Sequence, residues 1–225
     1  VRLMRTRTDL LYYGLRENND LTASRLAAGP NGVSFDTAYR GTRLDRFTIP
    51  LYGSHNVLNA LAVIGVALTL GHDMEKVKAQ LASFAGVQRR FTEKSWNGNI
   101  VIDDYAHHPS EIRATLEAAR SKYPDRKAAA IFQPHTFSRL EKLLEEFAVA
   151  LREADDVILC PIFGSAREMS GTVTLESLQA RIPNARLLSE DVVADLSGYK
   201  DAVLLFMGAG DIQKYKDQLF RSSFS

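Results

Sequence analysis

The chain has 225 residues, 45% hydrophobic and 24% charged, an ordinary balance for a soluble globular protein. A formal net charge of +1 gives no electrostatic bias towards nucleic acid or an anionic membrane. The single cysteine, Cys160, excludes a disulfide framework and a thiolate metal site, and no apolar run approaches a membrane span. This pattern predicts a cytoplasmic protein. The chain starts at Val1 and its basic first residues lead into no signal-peptide core, so a piece of a longer protein is expected.

In chain order, Asp9 to Leu15 predicts a strand ending at Gly14, while Leu21 to Ala28 is too short to assign. Gly32 to Tyr39 and Thr42 to Leu51 alternate as half-buried antiparallel strands do. A long apolar helix is expected from His55 to Leu70, with Ser54 as N-cap and Gly71 as its stop. A second helix, Met74 to Phe84, carries Val77, Leu81 and Phe84 on one face. Gly86-Val87 marks a hinge, which divides the chain into domains 1–87 and 88–225. Beyond it, a hairpin over Phe91 to Ser95 and Asn99 to Asp103 leads into regular alternation. Strands are expected at Ala128–Phe132, Val157–Cys160, Ala185–Leu188 and Ala202–Met207. Helices are expected at Ser110–Lys122, Ser138–Glu153, Leu175–Arg181, Asp191–Leu196 and Asp211–Phe220. Apolar strands separated by amphipathic helices predict an α/β fold with a parallel, doubly wound sheet.

The stretch Asp103-Asp104-Tyr105-Ala106-His107-His108-Pro109 joins a buried strand to a helix in which Pro109 suits the first position. In an open α/β sheet that turn lies at the carboxyl ends of the strands, where ligands bind. Any one of these residues could simply cap or pack. Two carboxylates, a phenol and two imidazoles in one turn favour a site. His55, Asn56 and Asn59 cluster at the start of the apolar helix, and Asn56 and Asn59 share a face. Their amides match an adenine edge, donor to acceptor and back; the plainer account is helix capping. Gln133 to Arg139 is again polar after a strand, with Ser138 as a possible N-cap. That places the Arg139 cation in a first turn, against the helix dipole, where an anionic ligand would resolve the mismatch. Phe163 to Glu168 and the small-residue turn Gly208 to Asp211 follow two further strands. Gln88 to Phe91, at the hinge, offers a cation; a solvated pair is the alternative.

Gly53-Ser54-His55-Asn56-Val57-Leu58-Asn59-Ala60, Gly86-Val87-Gln88-Arg89-Arg90-Phe91 and the Asp103 to Pro109 stretch, in this order, resemble the Mur ligases of peptidoglycan synthesis. Phe132-Gln133-Pro134-His135 with Arg139, and Gly208-Ala209-Gly210-Asp211-Ile212, narrow the resemblance to members that join L-alanine to UDP-N-acetylmuramate. The resemblance implies the end of a central ATPase domain followed by a complete C-terminal Rossmann-like domain, its mostly parallel sheet covered by helices on both faces. It implies ATP-dependent amide formation through an acyl phosphate, with Mg²⁺ balancing phosphate charge. Carried over, Asn56 and Asn59, with His55 beside them, are the adenine site, Asp104 the ribose contact and Arg90 a γ-phosphate contact. Tyr105, His107, His135 and Arg139 hold the substrate carboxylate, the acyl phosphate and the incoming alanine. Thr136 stands where some relatives carry arginine. Arg167 and the Gly208 turn are drawn in by placement alone. The chain contains no glycine-rich Lys-Ser/Thr phosphate loop, and no Mg²⁺ ligands are assigned to it. The UDP-binding domain and the phosphate loop are expected in missing N-terminal domains of the same protein. The alternatives are the related ligase that attaches a recycled peptide to the same sugar nucleotide, and a non-catalytic nucleotide-binding module.

Overall fold

The computed structural model describes residues 10–84, 86–164, 168 and 170–221, which divide into two units between Gly86 and Val87. In the first unit, β1 (Tyr13–Gly14), β2 (Leu21–Gly29), β3 (Gly32–Tyr39) and β4 (Thr42–Ile49) form one sheet in that order. β1 runs parallel to β2, and the other pairs are antiparallel. The β3–β4 turn uses positive φ at both Arg40 (48°) and Gly41 (79°), the twist a tight hairpin requires. Phe35 and Phe47 face each other across it with ring centroids 6.2 Å apart. The unassigned stretch 21–28 is a full strand. Only Leu21 and Ala23 are buried along it, so the alternation is too brief to read, and pairing to β3 defines the strand. Of the strand expected at 9–15, only Tyr13–Gly14 pairs, and Asp9 lies outside the described residues.

Helix α1 (Ser54–Thr69) buries Val57, Ala60, Leu61 and Ile64. Its N-cap is Gly53 at φ 89°, not Ser54 as expected; the backbone there needs glycine, and no side chain caps it. Gly71, at φ 69°, follows the last turn as the expected stop. Helix α2 (Met74–Ser83) begins at Asp73, whose carboxylate accepts the Glu75 N–H at 3.0 Å.

In the second unit, β5 (Thr92–Trp96) and β6 (Asn99–Asp104) form the hairpin. They are followed by α3 (Pro109–Lys122), β7 (Ala128–Phe132), α4 (Phe137–Lys142), α5 (Leu144–Leu151) and β8 (Asp156–Leu159). The unit continues with α6 (Leu175–Gln179), β9 (Arg186–Leu187), α7 (Val192–Leu196), β10 (Val203–Met207) and α8 (Gln213–Arg221). The sheet order is β5-β6-β10-β7-β8-β9, parallel except for β5. Successive strand residues feed opposite faces. Ile102, Ala130, Phe132 and Leu205 pack with Ile112, Leu116, Phe147 and Leu178 of α3, α5 and α6. Val101, Ala129, Ile131 and Leu204 pack with Val192, Leu196 and Leu219 of α7 and α8. The expected helix 138–153 is two helices broken at Leu143, where φ is −120° without a proline or glycine to announce it. Among the described residues no helix is long and apolar enough to cross a membrane.

Candidate functional site

β10 is the last strand in sequence, yet it lies between β6 and β7. Met207 is level with both Asp104 and Phe132. The turns after these three residues therefore stand side by side at the carboxyl ends of adjacent strands, where a parallel sheet places its ligands.

The β6 turn is held from within. Asp104 is 8% exposed, and its two carboxylate oxygens accept the N–H groups of Phe91 and Ala106, both at 2.9 Å. Burial pushes its carboxyl above the usual range; those two bonds and the Arg90 charge only partly oppose this. His108 caps α3, and the Glu111 carboxylate returns to the N–H groups of His107 (2.9 Å) and His108 (3.1 Å), completing a capping box. Nδ1 of His107 lies 2.9 Å from the Tyr105 carbonyl oxygen and 3.3 Å from Glu111 Oε2. Both neighbours are acceptors, so in the neutral ring Nδ1 carries the proton and Nε2 is the acceptor. The Tyr105 ring meets His107 edge-on at 5.3 Å and lies under the Arg89 and Arg90 guanidinium groups, at 4.8 and 5.6 Å.

The β7 turn carries the opposite tautomer. His135 stacks on Phe163 with centroids 5.6 Å apart, and its ring lies 6.1 Å from that of His107. Arg139 Nη1 is 3.2 Å from His135 Nδ1. Arginine can only donate, so Nδ1 accepts and the imidazole proton sits on Nε2. Burial, with the charges of Arg139 and His107, holds His135 below the ordinary histidine range. Ser138 is not the cap of α4. The N-cap is Thr136, a β-branched residue at φ 65°, and the Glu168 carboxylate takes the Ser138 N–H (2.6 Å) and hydroxyl (3.0 Å). The anion anticipated at this helix start is thus a side chain from the loop after β8, while Arg139 turns back onto His135.

The glycine turn fits between its neighbours because it has no side chains. A Cβ on Gly208 would lie 3.0 Å from the Gln133 carbonyl oxygen; one on Gly210 would lie 2.4 Å from Phe163 Cγ. Gln133 is 1% exposed and donates from Nε2 to Asp211 at 2.8 Å. Burial works against the Asp211 charge, but bonds from Lys214 and Gln133 prevail and its carboxyl sits below the usual range.

In the first unit, Asn56 donates to the Tyr52 carbonyl oxygen at 2.8 Å and Asn59 to Asn56 Oδ1 at 3.4 Å. Both line a mostly apolar cavity of about 500 Å³ between α1, α2 and the end of β4, with Ala60, Val63, Val77 and Leu81. A flat heteroaromatic ring suits such a lining.

A family model of the Mur ligase glutamate ligase domain matches residues 89–210, and one of the Mur ligase middle domain matches residues 2–67. The UDP-N-acetylmuramate-alanine ligase MurC of Thermotoga maritima is 31% identical over 95% of this chain and 47% of its own, with a TM-score of 0.78. The chain belongs to the Mur ligase family. A murein peptide ligase from Psychrobacter arcticus shares the fold at 23% identity, covering 93% of this chain and 45% of its own (TM-score 0.65). MurF of Thermotoga maritima, solved in complex with ADP, does so at 19% identity over 94% and 49% (TM-score 0.68). The chain spans about half the length of these structures. Mur ligases are ATP-dependent amide ligases.

Within this Mur ligase chain, Tyr105, His107, His135 and Arg139 come together at the strand ends, and Arg90 lies over Tyr105. Asp104 is level with them but turned inward, so a ribose contact would have to use the remaining lone pairs of oxygens already bonded to backbone. His55, Asn56 and Asn59 belong to the first unit. Arg167 lies outside the described residues. Among the described residues no group of three or more His, Cys, Asp or Glu side chains is arranged to hold a metal. Sequence reasoning missed Glu111, and it gave Arg89, Gln133 and Glu168 no roles of their own although they stood in its candidate stretches. Glu111 had a local signal, three residues after His108 at a helix start.

Proposed function

We propose that this chain is the ATP- and acceptor-binding half of a ligase that joins L-alanine to UDP-N-acetylmuramate. One observation carries the reading: two histidines, one with Nδ1 facing acceptors and one with Nδ1 facing a donor, meet a guanidinium and a phenol at the carboxyl ends of β6 and β7. The 31% identity to the alanine ligase over nearly the whole chain supports the choice of amino acid.

In this reading Asn56 and Asn59 hold adenine, Asp104 the ribose and Arg90 the γ-phosphate. ATP supplies the phosphoryl group that activates the muramoyl carboxylate as an acyl phosphate. Arg139 offers a planar fork to carboxylate or phosphate oxygens. His135, kept neutral, adds an Nε2–H donor without adding a charge. His107 accepts, at Nε2, the proton the alanine nitrogen loses as the amide bond forms and the acyl C–O bond to phosphate breaks, releasing inorganic phosphate; Glu111 and the Tyr105 carbonyl hold its tautomer. Tyr105 walls the space between the two imidazoles and the arginines.

The test is product formation by the full-length protein with ATP, UDP-N-acetylmuramate and either L-alanine or a tripeptide. Stoichiometric muramoyl-alanine and inorganic phosphate are expected. Turnover with the tripeptide alone would favour the recycling ligase, and nucleotide binding without either product would favour a non-catalytic module.

A further inference from the structure

Arg89 did not stand out in the sequence from its neighbour Arg90, and no role above depends on it. In the structure it joins three parts of the site. Its Nη2 donates to the Gly208 carbonyl oxygen at 2.7 Å, its guanidinium covers the Tyr105 ring at 4.8 Å, and its own carbonyl accepts the Tyr105 N–H at 2.8 Å. Its backbone is left-handed, with φ at 57°, a conformation non-glycine residues seldom adopt unless their surroundings hold them there.

The charge behind it is equally specific. Asp103 has a side chain 6% exposed, and its Oδ2 is bonded by Lys216 Nζ and, at 3.3 Å, by Gln213 Nε2. Its other oxygen lies 3.8 Å from Arg89 Nε. Both of these facing atoms are buried, and neither has a hydrogen-bond partner among the described residues. A buried carboxylate with one cation would be neutralised by Lys216 alone; the second cation is held beside it by the Gly208 carbonyl and the Tyr105 ring. Truncating one member of such a cluster leaves the others buried and uncompensated.

We infer that Arg89 is a positioning residue: facing Asp103, which Lys216 holds from its other oxygen, it locks the β6 turn to the β10 turn and fixes the Tyr105 ring beside His107. The inference rests on the ligase reading for its kinetic consequence, but not for its structural one. Arg89 touches none of the reacting groups; it acts through Tyr105 and Gly208.

Hydrogen exchange on the 225-residue protein tests the structural part. The Gly208 N–H bonds across to the Asp104 carbonyl at 3.1 Å, the Phe91 and Tyr105 N–H groups tie the Arg89 segment to the β6 turn, and the Ala106 N–H closes that turn on Asp104. In Arg89→Ala and Asp103→Asn, these four amides should exchange about tenfold faster, while Ile131 and Leu205 in the central sheet stay unchanged. Arg89→Lys, which keeps charge and stem and guards against a folding failure, should not restore protection, because an ammonium cannot bond Gly208 and cover the ring as a fork does. In the full-length ligase the same variants should lose about tenfold in kcat, with the ATP KM within about twofold of wild type. Unchanged local exchange would overturn the inference, as would full protection in Arg89→Lys. Faster exchange with undiminished kcat would reduce Arg89 to a stabilising residue and equally overturn it. A wild-type protein without ligase turnover would instead defeat the ligase reading, with the exchange result still deciding whether Arg89 holds the turn.

Discussion

Replacing Asp104 with alanine should cost stability before it costs chemistry. The carboxylate holds the backbone N–H groups of Phe91 and Ala106, both at 2.9 Å, from a position only 8% exposed. Truncation leaves the two N–H groups without an acceptor, at about 1–3 kcal/mol each, so about 2–6 kcal/mol is at stake in the protonated state that burial favours. A net loss of roughly 2–4 kcal/mol is expected. Trp96 is the only tryptophan, is buried, and lies in the second unit, so its fluorescence during urea unfolding reports on the unit that contains Asp104. The pH dependence has a definite sign. Because burial raises the folded-state pKa above the unfolded 3.8, the contribution of Asp104 is fully present below that value and diminishes as pH rises through the folded pKa. Wild type should therefore lead the alanine variant by more at pH 4 than at pH 7. A loss under about 1 kcal/mol, or a lead that widens with pH, would refute this reasoning. If the ATP KM of the full-length variant also rose by about one to two orders of magnitude, the remaining lone pairs of the same carboxylate would be the ribose contact.

Arg139→Lys in the full-length protein should lower kcat at least about tenfold with little change in ATP KM, since a point charge cannot reproduce a planar fork; steady-state kinetics decide it. The depressed His135 pKa means that its contribution to stability is present above pH 6.5 and lost as pH falls through the folded value; Arg139→Gln should raise that pKa, read from NMR shifts of the imidazole. Gly210→Ala would bring its Cβ to 2.4 Å from Phe163 Cγ and 2.6 Å from Gln133 Oε1, and should destabilise the second unit by about 1–3 kcal/mol in the Trp96 assay. The 225-residue chain alone, lacking a glycine-rich phosphate loop, should form no muramoyl-alanine in a coupled phosphate-release assay; turnover by this chain would sink that expectation.

What could be read from the sequence was what depends on near neighbours. The apolar run of β7 and the alternation of β3 mark their strands to the residue, and Pro109 marks the start of α3. The ordered motifs around Asn56, Asp104, His135 and Gly208 carried the family. Pairing across the chain was not readable. The place of β10 between β6 and β7 brings the Gly208 turn to the site, and that rests on ladders linking residues such as Val101 and Leu204. The inward turn of Asp104, the Glu168 carboxylate at the start of α4, and the bond from Arg89 to Gly208, 119 residues away, have the same origin. A carboxylate or a guanidinium has the same local signature whether it meets solvent, a ligand or a backbone N–H. Only the tertiary structure supplies the partner, because burial leaves each such group no water to bond and makes the nearest protein atom decide its role.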